Sequence, residues 1–163
     1  MPSTPDPALA ASCVLIRRFE GCELRAYPDP ATGGEPITIG YGATFKGLTL
    51  GTVWTRAQAE DDLVRRVSTE FLPAVRAAIQ VPLPDACVAA CCSLAYNIGT
   101  RAFAGSSVVR RINAGAPKAA ALSFLLWNKA AGKVNAGLVK RRGQERLEFL
   151  AGLAADAPAP RVG

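Results

Sequence analysis

Two changes of hydrophobic period early in the chain restrict its fold more than any other feature. Leu9, Cys13 and Ile16 recur at helical spacing on one face, and the next position on that stripe is Glu20. Ile37, Ile39 and Tyr41 then alternate with Thr38, Gly40 and Gly42, the pattern of a strand with one apolar face. From Thr55 the pattern is helical again, to about Leu150. A helix, a small antiparallel sheet and then a run of helices make a mostly helical α+β chain. The sheet belongs to an N-terminal lobe, and the C-terminal lobe is all-helical.

Local signals set the expected boundaries. Asp6 and Pro7 read as N-cap and first helical residue, with Gly21 as the stop. Phe45 to Thr49 is a candidate third strand. Thr55-x-x-Gln58 is a capping box opening a helix through about Arg66, and Ser68 to Ile79 is a further helix kinked or broken at Pro73. Asp85 is the expected cap of Ala86 to Tyr96, which is apolar nearly all round and so central. Helices follow at Ser107–Asn113, Lys118–Trp127 and Leu138–Leu150. The whole reads as one domain, residues 1–152, with lobes at about 8–66 and 67–152 and a flexible tail at 153–163.

The chain has no histidine. That excludes Ser-His-Asp and Cys-His nucleophile systems, an HExxH zinc site and an imidazole base. Acid–base chemistry must come from carboxylates, Lys, Tyr or Cys, and only 13 Asp and Glu are present. Cys13, Cys22, Cys87, Cys91 and Cys92 are odd in number and lack framework or CxxC spacing. They read as free thiols, and no metal or cofactor is expected. With 19 Lys and Arg the net charge is +6, which favours a polyanionic partner such as nucleic acid, anionic lipid or bacterial wall. The Arg pairs at 17–18, 65–66, 110–111 and 141–142 are dispersed and not interleaved with aromatics, so nucleic acid is not the expected partner. The apolar run Ala8 to Ile16 has no preceding Lys or Arg and is shorter than the ~18 residues of a span, so neither a signal peptide nor a membrane helix is expected.

Glu20 and Asp29 are carboxylates in unlike settings. Burial and the negative end of the first helix both disfavour the ionised form of Glu20, the environment a general acid needs. Asp29, among prolines and a polar turn, stays ionised and can handle water, and Thr38 on the glycine-bared face can hold that water. Glycoside hydrolysis uses such a pair. Phe19-Glu20-Gly21, Ala26-Tyr27-Pro28-Asp29 and Thr38-Ile39-Gly40-Tyr41-Gly42 resemble the active-site signature of the phage-type lysozymes, or endolysins (glycoside hydrolase family 24). The likeness continues through Leu94-Ala95-Tyr96-Asn97-Ile98-Gly99, Trp127-Asn128-Lys129 and Gly137-Leu138-Val139-Lys140-Arg141-Arg142, and spans about residues 8 to 150.

The resemblance implies a two-lobed lysozyme fold with the cleft between the lobes. It implies hydrolysis of the β-1,4 bond between N-acetylmuramic acid and N-acetylglucosamine in bacterial peptidoglycan. By motif position Glu20 is the general acid, with Asp29 and Thr38 positioning the attacking water. Thr44, Tyr96, Ser107 and Asn128 match positions that contact sugar, and Arg141 falls where the family places an arginine near the catalytic Glu. A monomer is implied, made in the host cytoplasm without a signal peptide and reaching the wall in the periplasm through a holin pore. Lytic transglycosylation needs only the acid/base Glu and remains the chemical alternative, and a wall-binding or wall-remodelling role is the alternative function. Two departures stand out: the segment Ala31 to Pro36 lengthens the Asp29–Thr38 loop and adds Glu35 as a rival acid, and Ala43 occupies a position where the family usually has His.

Overall fold

The computed structural model describes residues 6–30 and 32–157. Helix α1 (Pro7–Phe19) begins as its sequence dictates, with the Asp6 carboxylate accepting the Ala8 N–H at 3.0 Å and Pro7 in the first turn. Glu20 is the first residue outside α1 rather than a member of its last turn. Its backbone is extended (φ −90°, ψ 123°), while its N–H still closes on the Ile16 carbonyl at 2.9 Å.

Strand β1 (Glu23–Tyr27) pairs antiparallel with β2 (Thr38–Gly40), Tyr27 opposite Thr38 and Glu23 opposite Gly40, with an irregularity between. The alternation expected through Gly42 ends at Gly40 because Gly40 and Gly42 take φ of +63° and +78° and turn the chain. Gly40 is not open to a ligand. A Cβ there would lie 2.9 Å from Cζ3 of Trp54, whose ring fills the space. The expected strand at Phe45 to Thr49 does not form. Its N–H and C=O groups close local turns, and the outer edge of β1 is met instead by Thr52 to Trp54, through Ala26 N–H to Thr52 O at 3.0 Å and Trp54 N–H to Leu24 O at 2.8 Å.

Thr55 and Gln58 form the capping box of α2 (Arg56–Arg66). The helix continues through a π turn (Val67–Phe71) into α3 (Leu72–Ala78). Pro73 has no N–H to offer, and the Leu72 N–H reaches back five residues to Val67, so the expected break is a π turn in one rod. The central α4 (Asp85–Ile98) starts after Pro84 as N-cap, which puts Asp85 inside the first turn, and every side chain from Cys87 to Ala95 is buried. Helices α5 (Thr100–Ala104), α6 (Ser107–Asn113) and α7 (Pro117–Phe124) follow. An unpredicted hairpin, β3 (Lys129–Ala130) and β4 (Lys133–Val134), leads into α8 (Ala136–Ala155).

Helix α8 runs past Leu150 because Gly152 lies against α4, where a Cβ would come within 2.8 Å of Cys87 Sγ. Of the expected tail 153–163, residues 153–155 are helical and 158–163 lie outside the described residues. All five cysteines are free thiols.

Two apolar clusters result. The larger joins α1 to α4, α6, α7 and α8; the smaller holds Ala26, Ile37, Ile39, Ala43 and Leu48 under Trp54. The stripe of Cys13 and Ile16 therefore packs with the helical body, and the boundary drawn at residue 66 falls inside a continuous rod.

Candidate active site

Glu20 stands where the end of α1 meets α8. Its Oε1 accepts from Arg141 Nη1 at 2.5 Å, and its Oε2 has no hydrogen-bond partner among the described residues. That free oxygen faces Gly42, where a Cβ would lie 3.8 Å away. The Glu20 side chain is 23% exposed against 7% for Arg141. One oxygen is thus anchored and the other presented through the gap left by a glycine.

Arg141 is buried and its guanidinium is held by the protein at all three nitrogens. Besides Glu20 it gives Nε to Glu145 Oε1 at 3.0 Å and Nη2 to the Ser93 carbonyl at 3.1 Å, and its guanidinium lies 5.0 Å over the Phe19 ring. Glu145, fully buried, also accepts from Ser93 Oγ at 2.6 Å and pairs with Arg142. Burial pushes the Glu145 carboxyl up and the Arg142 guanidinium down to about 10. Glu145, Arg141 and Arg142 form the buried base under Glu20.

The hairpin supplies the other two predicted groups. Asp29 closes the β1–β2 loop, its N–H on Gly34 O at 3.0 Å and its carbonyl accepting Gly33 N–H at 2.7 Å. Thr38 lies on the face opposite Ile37 and Ile39, as the alternation requires, with Oγ1 at a marginal 3.5 Å from Pro36 O. Tyr27 is paired with Thr38 across the hairpin; burial raises its phenol, and the charges of Glu23, Glu20 and Asp29 raise it further. Glu35 is occupied locally, its Oε2 accepting the Ile37 N–H at 3.1 Å.

Two open grooves flank the rod of α2 and α3 and share Glu70. One, of about 900 Å³, is lined by Tyr96, Asn97, Arg101 and Trp127; the other, of about 450 Å³, by Thr44, Phe45, Trp54 and Arg66. Thr44 and Tyr96 thus border grooves, whereas Glu20, Ser107 and Asn128 are not among the lining residues. Burial raises the Tyr96 phenol against the opposing charge of Arg66, and the charge of Glu20 adds to the rise. Its hydroxyl donates to the Tyr41 carbonyl and accepts from Arg66 Nη1 at 2.6 Å, so only its ring is open to a ligand.

A phage lysozyme family profile matches residues 17–145. This chain belongs to the phage lysozyme family. It is 40% identical over 138 residues to the endolysin of Bacillus phage PZA, covering 85% of this chain and 53% of that protein. It is 40% identical over 136 residues to the endolysin of Salmonella phage P22, covering 83% and 92%. Among solved structures, the muramidase domain of SpmX from Asticaccaulis excentricus superposes with a TM-score of 0.76 at 34% identity, over 86% of this chain and 95% of that one. The chain therefore spans nearly all of the P22 relative and about half the length of the PZA relative. The lysozyme fold expected from the motifs is the fold observed.

Within this phage lysozyme, sequence reasoning missed Glu145 and Ser93, which hold Arg141. Arg141-Arg142-x-x-Glu145 has the i,i+4 and i,i+3 spacing of helical ion pairs, and that signal was available. It also missed the Tyr41–Glu60–Arg17 chain beside the turn. There the Tyr41 hydroxyl, then Arg17 at 2.6 Å, hold the Glu60 carboxyl below its usual range.

Proposed function

We propose that the chain is a muramidase endolysin that hydrolyses the β-1,4 bond between N-acetylmuramic acid and N-acetylglucosamine in peptidoglycan. The observation that carries the reading is Glu20 itself, with Oε1 fixed by Arg141 and Oε2 open toward Gly42, next to the hairpin that carries Asp29 and Thr38. Glu20 gives the proton on Oε2 to the leaving glycosidic oxygen. Asp29 takes a proton from water on the opposite face of the sugar while the Thr38 hydroxyl orients that water, and the products carry a free reducing end. Arg141 serves as a positioning residue for Glu20 rather than a sugar contact, because it is buried and its guanidinium is anchored on Glu20, Glu145 and Ser93.

The sugar chain lies along the two grooves, with Thr44 and the Tyr96 ring on the walls, and Ser107 and Asn128 are assigned to sugar by their motif positions alone. The protein works as a monomer, in two lobes, on the wall in the periplasm, where a holin pore admits it.

The test is clearing of purified peptidoglycan by the wild type, Glu20→Gln and Asp29→Asn. Glu20→Gln should lose at least ~100-fold in rate with an unchanged circular dichroism spectrum. Near wild-type clearing by that variant overturns the assignment of the acid. Reducing-end sugars are the expected products, and 1,6-anhydro sugars would replace hydrolysis with transglycosylation.

A further inference from the structure

Charge in this chain is divided along its length. Residues 86–144 contain nine Lys and Arg and no Asp or Glu, while the rest of the chain sets ten cations against all 13 acids. Arg141 and Arg142 are buried and paired with Glu20 and Glu145. The other seven cations are exposed, and none forms an ion pair among the described residues.

The same segment also carries exposed apolar side chains. Of eleven large hydrophobic residues that are exposed, five fall here: Leu122 (53%), Leu125 (36%), Leu126 (66%), Val134 (65%) and Val139 (45%). They share a region with the cations. Helix α7 buries Ala120, Ala121 and Phe124, which turns Lys118 and Leu122 outward one turn apart, and Leu125 and Leu126 prolong that face. Arg111 lies along the same helix, its Nη1 at 3.0 Å from Ala119 O and 2.8 Å from Ser123 Oγ. Three residues beyond Leu126, at most about 11 Å of chain, the exposed hairpin sets Lys129 opposite Val134 and adds Lys133.

We propose that α7, the turn that follows it and the β3–β4 hairpin form a docking face for an anionic phospholipid surface. A polyphosphate chain or nucleic acid would satisfy the lysines and leave the leucines in water. A bilayer surface takes both, with cations at the headgroup phosphates and leucines in the acyl boundary. No described helix is long and apolar enough to cross a membrane, so the contact lies in the interface. The face adjoins Trp127, a wall of the larger groove. Docking therefore holds the mouth of that groove beside the bilayer, next to the wall layer nearest the membrane.

The experiment is co-sedimentation of the full chain with phosphatidylglycerol or phosphatidylcholine vesicles at low and high salt, with duplex DNA and polyphosphate as competing polyanions. The wild type should partition onto phosphatidylglycerol alone and release with salt. Each cation contributes roughly fivefold in partition, so the triple variant Lys118→Gln, Lys129→Gln, Lys133→Gln should lose about 100-fold. Leu122→Ser with Leu126→Ser should lose roughly tenfold or more on vesicles and keep any affinity for polyanions. These residues are exposed, so circular dichroism and the thermal midpoint should match the wild type. Equal binding to both lipids overturns the proposal. So does a leucine variant that binds vesicles like the wild type, which would make the face a polyanion site.

Discussion

Asp6 and Glu145 show how differently one carboxylate can be used. Asp6 caps α1 and takes a two-pronged contact from Arg76, Nη1 at 2.8 Å and Nη2 at 3.1 Å, which fastens the start of α1 to α3. The Arg76 hydrogen bonds hold its carboxyl below the ordinary 3.8. The unfolded chain then binds the proton more tightly than the native one. The Asp6 contribution is present above pH ~4 and is lost as the pH falls through the lower native value. Asp6→Ala should lower stability at neutral pH by about 1 kcal/mol, the usual worth of a cap, with little added by the exposed ion pair. Urea midpoints at pH 7 and pH 3 check this: wild type and variant should converge in acid, and a constant gap would remove the linkage. Glu145 runs the other way, since burial outweighs its two guanidiniums and raises its carboxyl. Its weight therefore lies in aiming Arg141 at Glu20 more than in stability. The cap was legible in the sequence because Asp-Pro is a local signal. The Arg76 partner, 70 residues away, was not.

At the scale of elements, the β1–β2 hairpin and the turn after it decide the geometry of the site. Period-two alternation identified the strand and put Thr38 on the correct face, yet it could not reveal where pairing ends, because the alternation runs on through two residues with positive φ. Nor could it distinguish the two glycines, which serve different neighbours. Gly40 admits the Trp54 ring, with a Cβ contact of 2.9 Å, and Gly42 faces Glu20 Oε2 at 3.8 Å. Gly40→Ala should therefore cost about 2 kcal/mol or more through backbone strain and displacement of the ring, read as a lower urea midpoint with a red-shifted tryptophan emission. Gly42→Ala meets only ordinary contact distance, so about 1 kcal/mol from the positive φ is expected. Its methyl would crowd the open oxygen and slow peptidoglycan clearing in excess of the stability loss. Equal stability losses in the two variants would contradict the distinction. Pro73 follows the same logic: a disruption was readable, whereas the π turn that absorbs it depends on how α2 and α3 pack on the body.

On the scale of the whole molecule, the site exists because the two ends of the chain meet. Glu20 and Arg141 are 121 residues apart, and Tyr96 of α4 holds the carbonyl of Tyr41, 55 residues before it. The order of elements was legible because each depends on local periodicity. Long-range joints of this kind have no local signature, and the family motifs supplied only the residues, not their bonds. Tyr96 is the clearest instance: its motif position implied a sugar contact, whereas its hydroxyl is spent between the Tyr41 carbonyl and Arg66, and its ring packs 4.7 Å from Phe71. The two parts of the side chain can be separated by substitution. Tyr96→Phe keeps the ring on the groove wall and removes the hydroxyl, leaving Arg66 short of an acceptor and the Tyr41 carbonyl short of a donor. A stability loss of about 2 kcal/mol is expected for a hydrogen bond to a charged group, with KM for soluble wall fragments unchanged. Tyr96→Ala removes the ring as well and should raise KM several-fold on top of a larger stability loss. If Tyr96→Phe alone raised KM at full stability, the hydroxyl would be a sugar ligand, and the joint between Tyr41, Arg66 and Tyr96 would have to open when substrate binds.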